Sequence, residues 1–262
     1  MLKKCFGIIS YFPPGTSIKT RRVERLNGLF NRLNELWPDV DIVLVAQNWG
    51  DYEPPAITNN IIVKKYDEGL GIKNARNALR NEILSYGYDY VIMLDDDASI
   101  ACDNDHAAED YMAEIDKHPG GFCFIHSEDH WHTMDDYARA PLNLCAVSRE
   151  IYEKEPFPDV VLEKSEALED DIYAVLLHIK YADKEFLPPT TIRHTHNIKH
   201  QYIKQYTRPD VCWPSTWFNV GVPTQWHWIA HNTAMVLRYI VEHKDLTPEN
   251  LKELKECDQW RP

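Results

Sequence analysis

The sequence predicts an α/β fold in which a mostly parallel, mixed sheet is flanked by helices. Over the first hundred residues, short apolar runs alternate with amphipathic helical segments. The runs are apolar at nearly every position, which is typical of strands covered on both faces. The last of these runs leads directly into three consecutive aspartates, Asp95, Asp96 and Asp97. Together these features favour a layered sheet with polar residues at the carboxyl end of a buried strand.

The elements of this first half follow in a regular order. The runs that predict buried strands are Cys5–Ser10, Ile42–Ala46, Ile61–Val63 and Tyr90–Leu94. Apolar residues at three- and four-residue spacing predict a helix between the first two strands, which Pro38 ends. A second helix follows a glycine turn at Gly69 and Gly71 and precedes the fourth strand.

The second half is less regular. Its weaker patterns predict a surface helix at 105–117, a strand at 122–125, a helix at 168–179 and short strands at 186–187 and 191–194. From about Gln201 the composition shifts toward Trp, Tyr and Pro. We therefore predict one domain at 1–200, followed by a small helical and aromatic extension at 201–262. The clustered tryptophans of this extension either stack on sugar rings or form a satellite core.

Charge and composition exclude several classes of protein. With 28 Lys and Arg against 41 Asp and Glu, the formal net charge of −13 argues against nucleic-acid binding. The six cysteines contain no C-x-x-C pair, so they indicate reduced thiols in a cytoplasmic protein. No apolar stretch approaches the roughly 20 residues of a transmembrane helix. We expect a cytoplasmic protein, with peripheral contact at the inner membrane surface left open.

The aspartate triplet carries the strongest chemical signal. Three adjacent carboxylates that leave a buried strand repel one another, unless a cation lies among them. A divalent metal ion with diphosphate oxygens relieves that repulsion. On an extended segment Asp95 and Asp97 are expected to point to the same side. The alternative is a solvated acidic turn.

The triplet and its preceding helix resemble a known family. Gly69 to Asn77, with the sequence Gly-Leu-Gly-Ile-Lys-Asn-Ala-Arg-Asn, followed by a strand ending in Asp-x-Asp, resembles GT-A-fold glycosyltransferases, especially family 2. The match spans residues 5 to about 100 in order and continues more loosely to about 197. It implies a Rossmann-like sheet and a hexosyltransferase-type enzyme. The implied reaction transfers a sugar, with inversion, from a nucleotide-diphosphate donor to a glycan or other hydroxyl acceptor.

The resemblance also implies roles for the residues of the triplet and of the second helix. Asp95 contacts the ribose or the metal, Asp96 belongs to the donor-binding set, and Asp97 ligates Mn²⁺ or Mg²⁺. Arg76 lies by the diphosphate near a helix N-terminus, with Asn74 as a further donor-binding residue. The alternative for Arg76 is an exposed helix arginine.

Two later motifs complete the implied site. Glu169-Asp170-Asp171 matches the second acidic motif of the family, in which Asp170 is the catalytic base that deprotonates the acceptor. Its alternative is capping of a helix N-terminus by acidic residues. In the segment 188–197, His194 is the predicted third metal ligand, with His196 as the second choice. Either histidine is otherwise an ordinary loop residue.

Two departures from the family concern the nucleotide. The first strand usually leads into a Pro-x-x-Asn loop, but here it continues as Ser10-Tyr11-Phe12-Pro13-Pro14-Gly15. The second strand usually ends in an acidic residue, and here it ends in Gln47-Asn48. We predict that Asn48 hydrogen-bonds the base edge. A UDP-sugar is the first candidate donor, and the donor nucleotide stays open.

Three rival functions are weighed against this prediction. A nucleotidyltransferase would carry a Gly-rich, basic loop directly after the first strand, whereas residues 11–20 contain only Gly15. A non-catalytic carbohydrate-binding protein on the same fold would not need both acidic motifs. A metal-dependent phosphoesterase would use the ligand-rich stretch from His126 to His132, which has no fixed-spacing zinc signature.

Overall fold

The structure, a computed structural model, describes residues 2–13, 15–125, 144–157, 173–174, 176–177 and 180–196. The predicted base Asp170, the stretch at 126–132 and the extension at 201–262 lie outside the described residues. The strands are β1 (Lys4–Tyr11), β2 (Asp41–Gln47), β3 (Ile61–Tyr66), β4 (Tyr90–Asp95), β5 (Ala98–Cys102), β6 (Phe122–Cys123), β7 (Cys145–Ser148) and β8 (Ile192–His196). The helices are α1 (Thr16–Leu36), α2 (Ile72–Ser85), α3 (Ala107–Lys117) and α4 (Arg149–Lys154).

Six strands form the central sheet in the order β3-β2-β1-β4-β7-β6. The first four pair in parallel, whereas β7 runs antiparallel to both β4 and β6. The chain moves outward from β1 to β3 on one side and then crosses back to place β4 on the other side of β1. The crevice between the carboxyl ends of β1 and β4 is therefore the switch point, where open α/β sheets bind their ligands.

Helices cover both faces of this sheet, which explains why its central strands are apolar at nearly every position. In β4, Ile92 and Leu94 pack in the layer that contains α1, while Val91 and Met93 pack in the layer that contains α2 and α4. The buried positions of α1 recur with helical periodicity and are Leu26, Leu29, Phe30 and Leu33. Successive residues of β4 thus belong to opposite layers.

Helix α2 lies very close to β1 because a glycine faces it. A Cβ atom on Gly7 would lie 2.9 Å from Val91 Cγ2, closer than real Cβ contacts allow, and 3.0 Å from Ile83 Cδ1, which is a tight contact. The buried residues of α2 follow helical spacing and are Ala75, Arg76, Leu79 and Ile83. The close packing of α2 on β1 fixes where Arg76 lies relative to Asp95 at the end of β4.

A second, two-stranded sheet begins directly after the aspartates. Strand β5 pairs antiparallel with β8, with Ala98 opposite His196 and Ile100 opposite His194. Arg32 of α1 donates from Nε to the carbonyl of Ile100 at 3.2 Å, which ties this small sheet to the central core. The backbone of β8 is thereby held beside the segment that follows Asp97.

The predicted α/β fold class and the first six predicted elements, β1 through β4 with α1 and α2, are confirmed. Helix α3 is confirmed as well, although Tyr111 and Ile115 bury one of its faces. The predicted strand at 186–187 is wrong, because Phe186 only donates its N–H to the carbonyl of Phe122 at 3.0 Å. Strands β5 and β7 and helix α4 were not predicted. None of the helices in the described ranges is long and apolar enough to cross a membrane.

Candidate active site

The acidic turn, residues Asp95 to Asp97, opens at the switch point of the sheet. Asp95 is the last residue of β4 and lies opposite Ile9 in the parallel register with β1. Ser10 and Tyr11 complete β1 at the same edge. The sequence-predicted aspartates therefore stand where the topology leaves a crevice for a ligand.

Two of the three carboxylates meet arginines from opposite layers. Asp95 continues the α2-facing side of β4, and its Oδ1 accepts a hydrogen bond from Arg76 Nη2 at 2.7 Å. Asp96 faces the α1 side, where Arg22 Nη1 lies 3.1 Å from its Oδ2. The two adjacent negative charges thus face opposite layers, and each has a positive partner.

The third carboxylate does not follow the strand alternation. Asp97 Oδ2 lies 3.5 Å from Arg25 Nη1 of α1, so Asp97 faces the α1 side while Asp95 faces α2. This differs from the expectation that Asp95 and Asp97 share one side. The reason is that extended geometry ends at Asp95 and the chain turns through the next two residues before β5 begins.

Exposure distinguishes the outer aspartates from the middle one. The side chains of Asp95 and Asp97 are 30% and 25% exposed, whereas that of Asp96 is only 9% exposed. Burial raises the pKa of Asp96 to about 6, opposed first by the positive charge of Arg22. The two outer carboxylates are therefore the ones that can reach a ligand.

Arg76 is a buried residue, so the alternative of an exposed helix arginine is wrong. Its side chain is 1% exposed, and its guanidinium carbon lies 5.8 Å from the centre of the Phe157 ring. Asn77 holds the backbone of Phe157 in place, because its amide accepts from the Phe157 N–H at 3.0 Å and donates to the Phe157 carbonyl at 3.1 Å. The Ala-Arg-Asn motif therefore fixes Asp95 from behind, while contact of Arg76 with a diphosphate stays a prediction.

The predicted amide residues hold loops at the same edge of the sheet. Asn48 Nδ2 donates to the carbonyl of Phe12 at 2.7 Å, and Asn74 Nδ2 donates to the carbonyl of Leu70 at 2.9 Å. Gln47 accepts from the Leu70 N–H at 2.8 Å, so the end of β2 fixes the glycine turn before α2. Base or donor contacts of Asn48 and Asn74 stay predictions.

Tyr11 is a feature of this edge to which sequence reasoning assigned no role. Its side chain belongs to the few large apolar groups that are exposed among the described residues, at 36%. The ring packs against Gly69 of the glycine turn, where an added Cβ would lie 3.1 Å from Tyr11 Cε2. An exposed aromatic ring at such an edge offers a flat surface on which a planar ligand can stack.

Sequence reasoning also missed the cations of α1. Arg22 and Arg25 stand three residues apart on the first half of α1, which places them on one side of the helix. That spacing was visible in the sequence. The sequence did not indicate that this side of α1 faces the acidic turn. Which side faces the turn depends on the face of the sheet against which α1 packs.

The two later motifs are placed only in part. Asp170 lies outside the described residues, so its predicted catalytic role is untested. For His194 and His196 the structure describes the backbone alone: His196 is opposite Ala98, immediately after the acidic turn, and His194 is opposite Ile100. The fold therefore brings the histidine-bearing strand beside the aspartates.

The side chains at the acidic turn are of the chemical type that binds a hard divalent cation. Within the described ranges, no group of three or more His, Cys, Asp or Glu side chains is arranged to hold a metal ion. However, Mg²⁺ commonly takes only one or two carboxylates together with water and substrate phosphate, and Mn²⁺ suits the same ligands. Asp95 and Asp97 supply two such partly exposed carboxylates.

Comparison with known proteins gives likeness in fold only. No family model and no curated protein sequence matches the chain. Among solved structures, residues 1–349 of S. aureus TarS in complex with UDP-GlcNAc match at a TM-score of 0.51 and 13% identity, over 99% of this chain and 78% of that chain. The mannosyltransferase PcManGT from Pyrobaculum calidifontis, in complex with GDP-Man and Mn²⁺, matches at 0.48 and 13%, over 97% and 79%.

A putative nucleotide-diphospho-sugar transferase from Desulfovibrio desulfuricans G20 is more distant, at a TM-score of 0.40 and 12% identity over 91% of this chain and 99% of that one. The TarS comparison carries the assignment, because its TM-score alone among these three exceeds 0.5. The mixed six-stranded sheet with helices on both faces agrees with it. The protein therefore has a GT-A glycosyltransferase-like fold.

Proposed function

We propose that the protein is a metal-dependent glycosyltransferase that moves a sugar from a nucleotide-diphosphate donor to a hydroxyl acceptor. The observation that carries this proposal is the pair of partly exposed carboxylates, Asp95 and Asp97, at the switch point of a GT-A-like sheet. A UDP-sugar is the first candidate donor, and the complex of TarS with UDP-GlcNAc supports a nucleotide sugar in general.

The proposed metal is Mn²⁺ or Mg²⁺, held by Asp95, Asp97 and a histidine of β8, either His194 or His196. When bound, the cation would neutralise the negative charge that develops on the leaving diphosphate. On the protein side, Arg76 holds the Asp95 carboxylate at 2.7 Å, so that this ligand is oriented before the metal arrives. Tyr11 offers its exposed ring to the base of the nucleotide.

For the transfer step we propose that Asp170 acts as the general base. An inverting transfer needs a carboxylate that removes the acceptor proton while the acceptor oxygen attacks the anomeric carbon. We further propose a glycan as the acceptor and the segment 201–262 as part of the acceptor side. A cytoplasmic location, with or without contact at the inner membrane surface, belongs to the same proposal.

The test is a thermal-shift panel of nucleotides and nucleotide sugars with and without Mn²⁺. A ligand that binds only the native state stabilises it by about 2.7 kcal/mol at one hundred times its dissociation constant, so the true donor raises the melting temperature. We expect this shift to need Mn²⁺ and to disappear in Asp97→Ala. Asp39→Ala, an exposed aspartate at the opposite edge of the sheet, is the matched control and keeps the shift.

The same proteins are then assayed for hydrolysis or transfer of the donor that gives the largest shift. Activity that persists undiminished in Asp97→Ala with the metal chelated would contradict the proposal. Sugar binding without any dependence on the nucleotide would instead support a non-catalytic carbohydrate-binding protein.

A further inference from the structure

A continuous set of hydrogen bonds lies behind the acidic turn, and we call it the Asp96 network. Trp49 Nε1–H donates to Ser10 Oγ at 3.2 Å, and the Ser10 hydroxyl donates to Asp96 Oδ2 at 2.7 Å. Arg22 Nη1 lies 3.2 Å from Oδ1 and 3.1 Å from Oδ2 of the same carboxylate. The network joins the loop after β2, the end of β1, the acidic turn and α1.

The direction of these bonds follows from the atoms involved. An indole N–H can only donate, so Ser10 must accept from Trp49 and point its own hydrogen at Asp96. Asp96 therefore acts as the acceptor at the end of the network, and the guanidinium of Arg22 completes its environment. Trp49, Ser10 and Asp96 are all buried, and an unpaired polar group there would cost about 1–3 kcal/mol.

The ring of Trp49 is itself fixed by packing. It stacks on Phe12 with ring centres 5.2 Å apart and meets Tyr52 edge-on at 4.8 Å. Lys19 of α1 donates to the Trp49 carbonyl at 3.2 Å. The network thus begins at Trp49, whose ring has little freedom to move. Through Ser10 it restricts the motion of Asp96, the middle residue of the acidic turn.

We propose that Asp96 is a positioning residue, and that it binds neither the nucleotide-sugar donor nor the metal. Through Ser10, Trp49 and Arg22 it fixes the acidic turn so that the carboxylates on either side are presented to the cation. Oδ2 already accepts from both Ser10 and Arg22, Oδ1 accepts from Arg22, and the side chain is only 9% exposed, so a metal ion would have to compete with these donors for a buried carboxylate. This inference rests on the metal-dependent function proposed above.

The first experiment measures Mn²⁺ binding by the electron paramagnetic resonance signal of the free ion. Partners that orient metal ligands without touching the metal typically contribute about 10–100-fold to metal affinity. We expect a loss of that size in Ser10→Ala and in Asp96→Asn. Ser10→Thr, which keeps a hydroxyl that can donate to Asp96, is expected to bind Mn²⁺ much more tightly than Ser10→Ala.

Two remote variants serve as matched controls. Ser85→Ala removes a hydroxyl that bonds the Glu82 carbonyl on α2, and Asp116→Asn removes a carboxylate that is paired with Lys4. Both should bind Mn²⁺ like the native protein, even where Asp116→Asn lowers the melting temperature. Native-like Mn²⁺ binding by both Ser10→Ala and Asp96→Asn would overturn the proposal, as would an equal loss in Asp116→Asn.

The second experiment does not depend on the metal. Hydrogen exchange followed by mass spectrometry should show faster exchange of the backbone amides of residues 95–99 in Ser10→Ala and Asp96→Asn, with β2 and β3 unchanged. Unchanged exchange at 95–99 would overturn the positioning role. A native protein that binds no Mn²⁺ would contradict the proposed function. The exchange result alone would then show whether the Asp96 network positions the acidic turn.

A third variant guards against misfolding of the others. Trp49→Phe keeps an aromatic ring in the stack with Phe12 but removes the indole N–H that Ser10 accepts. We expect faster exchange at 95–99 in this variant as well, with a smaller loss of Mn²⁺ affinity than in Asp96→Asn. Native-like exchange in a folded Trp49→Phe variant would show that the indole has no part in holding the turn.

Discussion

At the scale of single residues, the acidic turn is organised by arginines that arrive from both layers of the fold. Arg76 comes from α2, while Arg22 and Arg25 come from α1. Because each guanidinium lies beside one carboxylate, neighbouring negative charges are balanced within the protein itself. The buried arginine fixes the turn, and the two half-exposed arginines stand where an incoming anion would also meet positive charge.

The histidines of β8 give a prediction at this scale. His196 is opposite the residue that follows Asp97, whereas His194 is two positions farther along the strand pair. If a histidine completes the metal site, His196→Ala should therefore weaken Mn²⁺ binding more than His194→Ala, by about tenfold. Titration calorimetry with Mn²⁺ measures the difference.

The exposed His106, at the start of α3, provides the control for this comparison. His106→Ala should bind Mn²⁺ like the native protein. Equal affinities of His194→Ala and His196→Ala, both native-like, would remove the histidine from the proposed site. A larger loss in His194→Ala would favour the residue chosen from the sequence alone.

The limits of prediction at this scale have a physical cause. The aspartates were found because a polar cluster after an apolar strand is visible in the sequence itself. The partners of Asp96 were not found, since Ser10, Trp49 and Arg22 belong to three separate elements. Their convergence depends on which helix covers which face, and a hydrophobic pattern does not specify that.

At the scale of elements, the contact between α2 and β1 yields a second prediction. Gly7→Ala would place a Cβ atom 2.9 Å from Val91 Cγ2 of β4 and 3.0 Å from Ile83 Cδ1 of α2, so β4 and α2 side chains, and with them α2, must shift. Overpacking of this kind costs about 1–3 kcal/mol, which urea denaturation should show as a lower free energy of unfolding. Because α2 carries Arg76, Mn²⁺ affinity should fall as well.

The matched control for Gly7→Ala is Gly28→Ala in α1. An added Cβ at Gly28 meets nothing within 4 Å. Alanine in a helix interior is favoured over glycine by about 0.5–1 kcal/mol, so this variant should be more stable than the native protein. A stability loss in Gly28→Ala comparable to that in Gly7→Ala would contradict the packing argument.

The ion pair between β1 and α3 gives a prediction about pH. Lys4 Nζ lies 2.6 Å from Asp116 Oδ1. Burial acts to raise the pKa of Asp116, but hydrogen bonds from Lys4 and from the Leu2 N–H outweigh it, so the pKa lies below its ordinary value. The stability contributed by this pair is therefore present near neutral pH and is lost as the pH falls below about 4.

The measurement compares the native protein with Asp116→Asn. Near neutral pH the variant should unfold with a free energy lower by about 1 kcal/mol, and the difference should shrink as the pH falls below about 4 and through the lowered pKa of Asp116. A difference that stays constant across this range would show that the stabilisation does not depend on the Asp116 charge.

Elements were predicted well where burial leaves a pattern and poorly where it does not. Strands β1, β2 and β4 are buried on both faces, and their continuous apolar runs predicted them. Strand β7 is the four-residue segment Cys-Ala-Val-Ser, and β5 is Ala-Ser-Ile-Ala-Cys. Such short segments of small residues are specified by their neighbours in the sheet, so their own sequence is a weak signal.

At the scale of the whole molecule, the parallel topology of the sheet explains why the position of the acidic turn could be predicted from the sequence. Strands that alternate with helices imply a parallel sheet, and in such a sheet the carboxyl ends of the strands meet at one edge. That argument placed the acidic turn correctly without any structure. It could not foresee that β7 and β6 would extend the sheet by antiparallel pairing beyond β4.

The pairing of β5 with β8 has a consequence for how the chain acquires its site. The two strands are roughly a hundred residues apart in sequence, so their contact is among those that close the longest loops. Ribosomes add only about 5–20 residues per second. A nascent chain can therefore assemble its first four strands and the aspartates several seconds before β8 exists to hold the segment behind them. For that interval the newborn protein carries the acidic turn without the strand that later secures it.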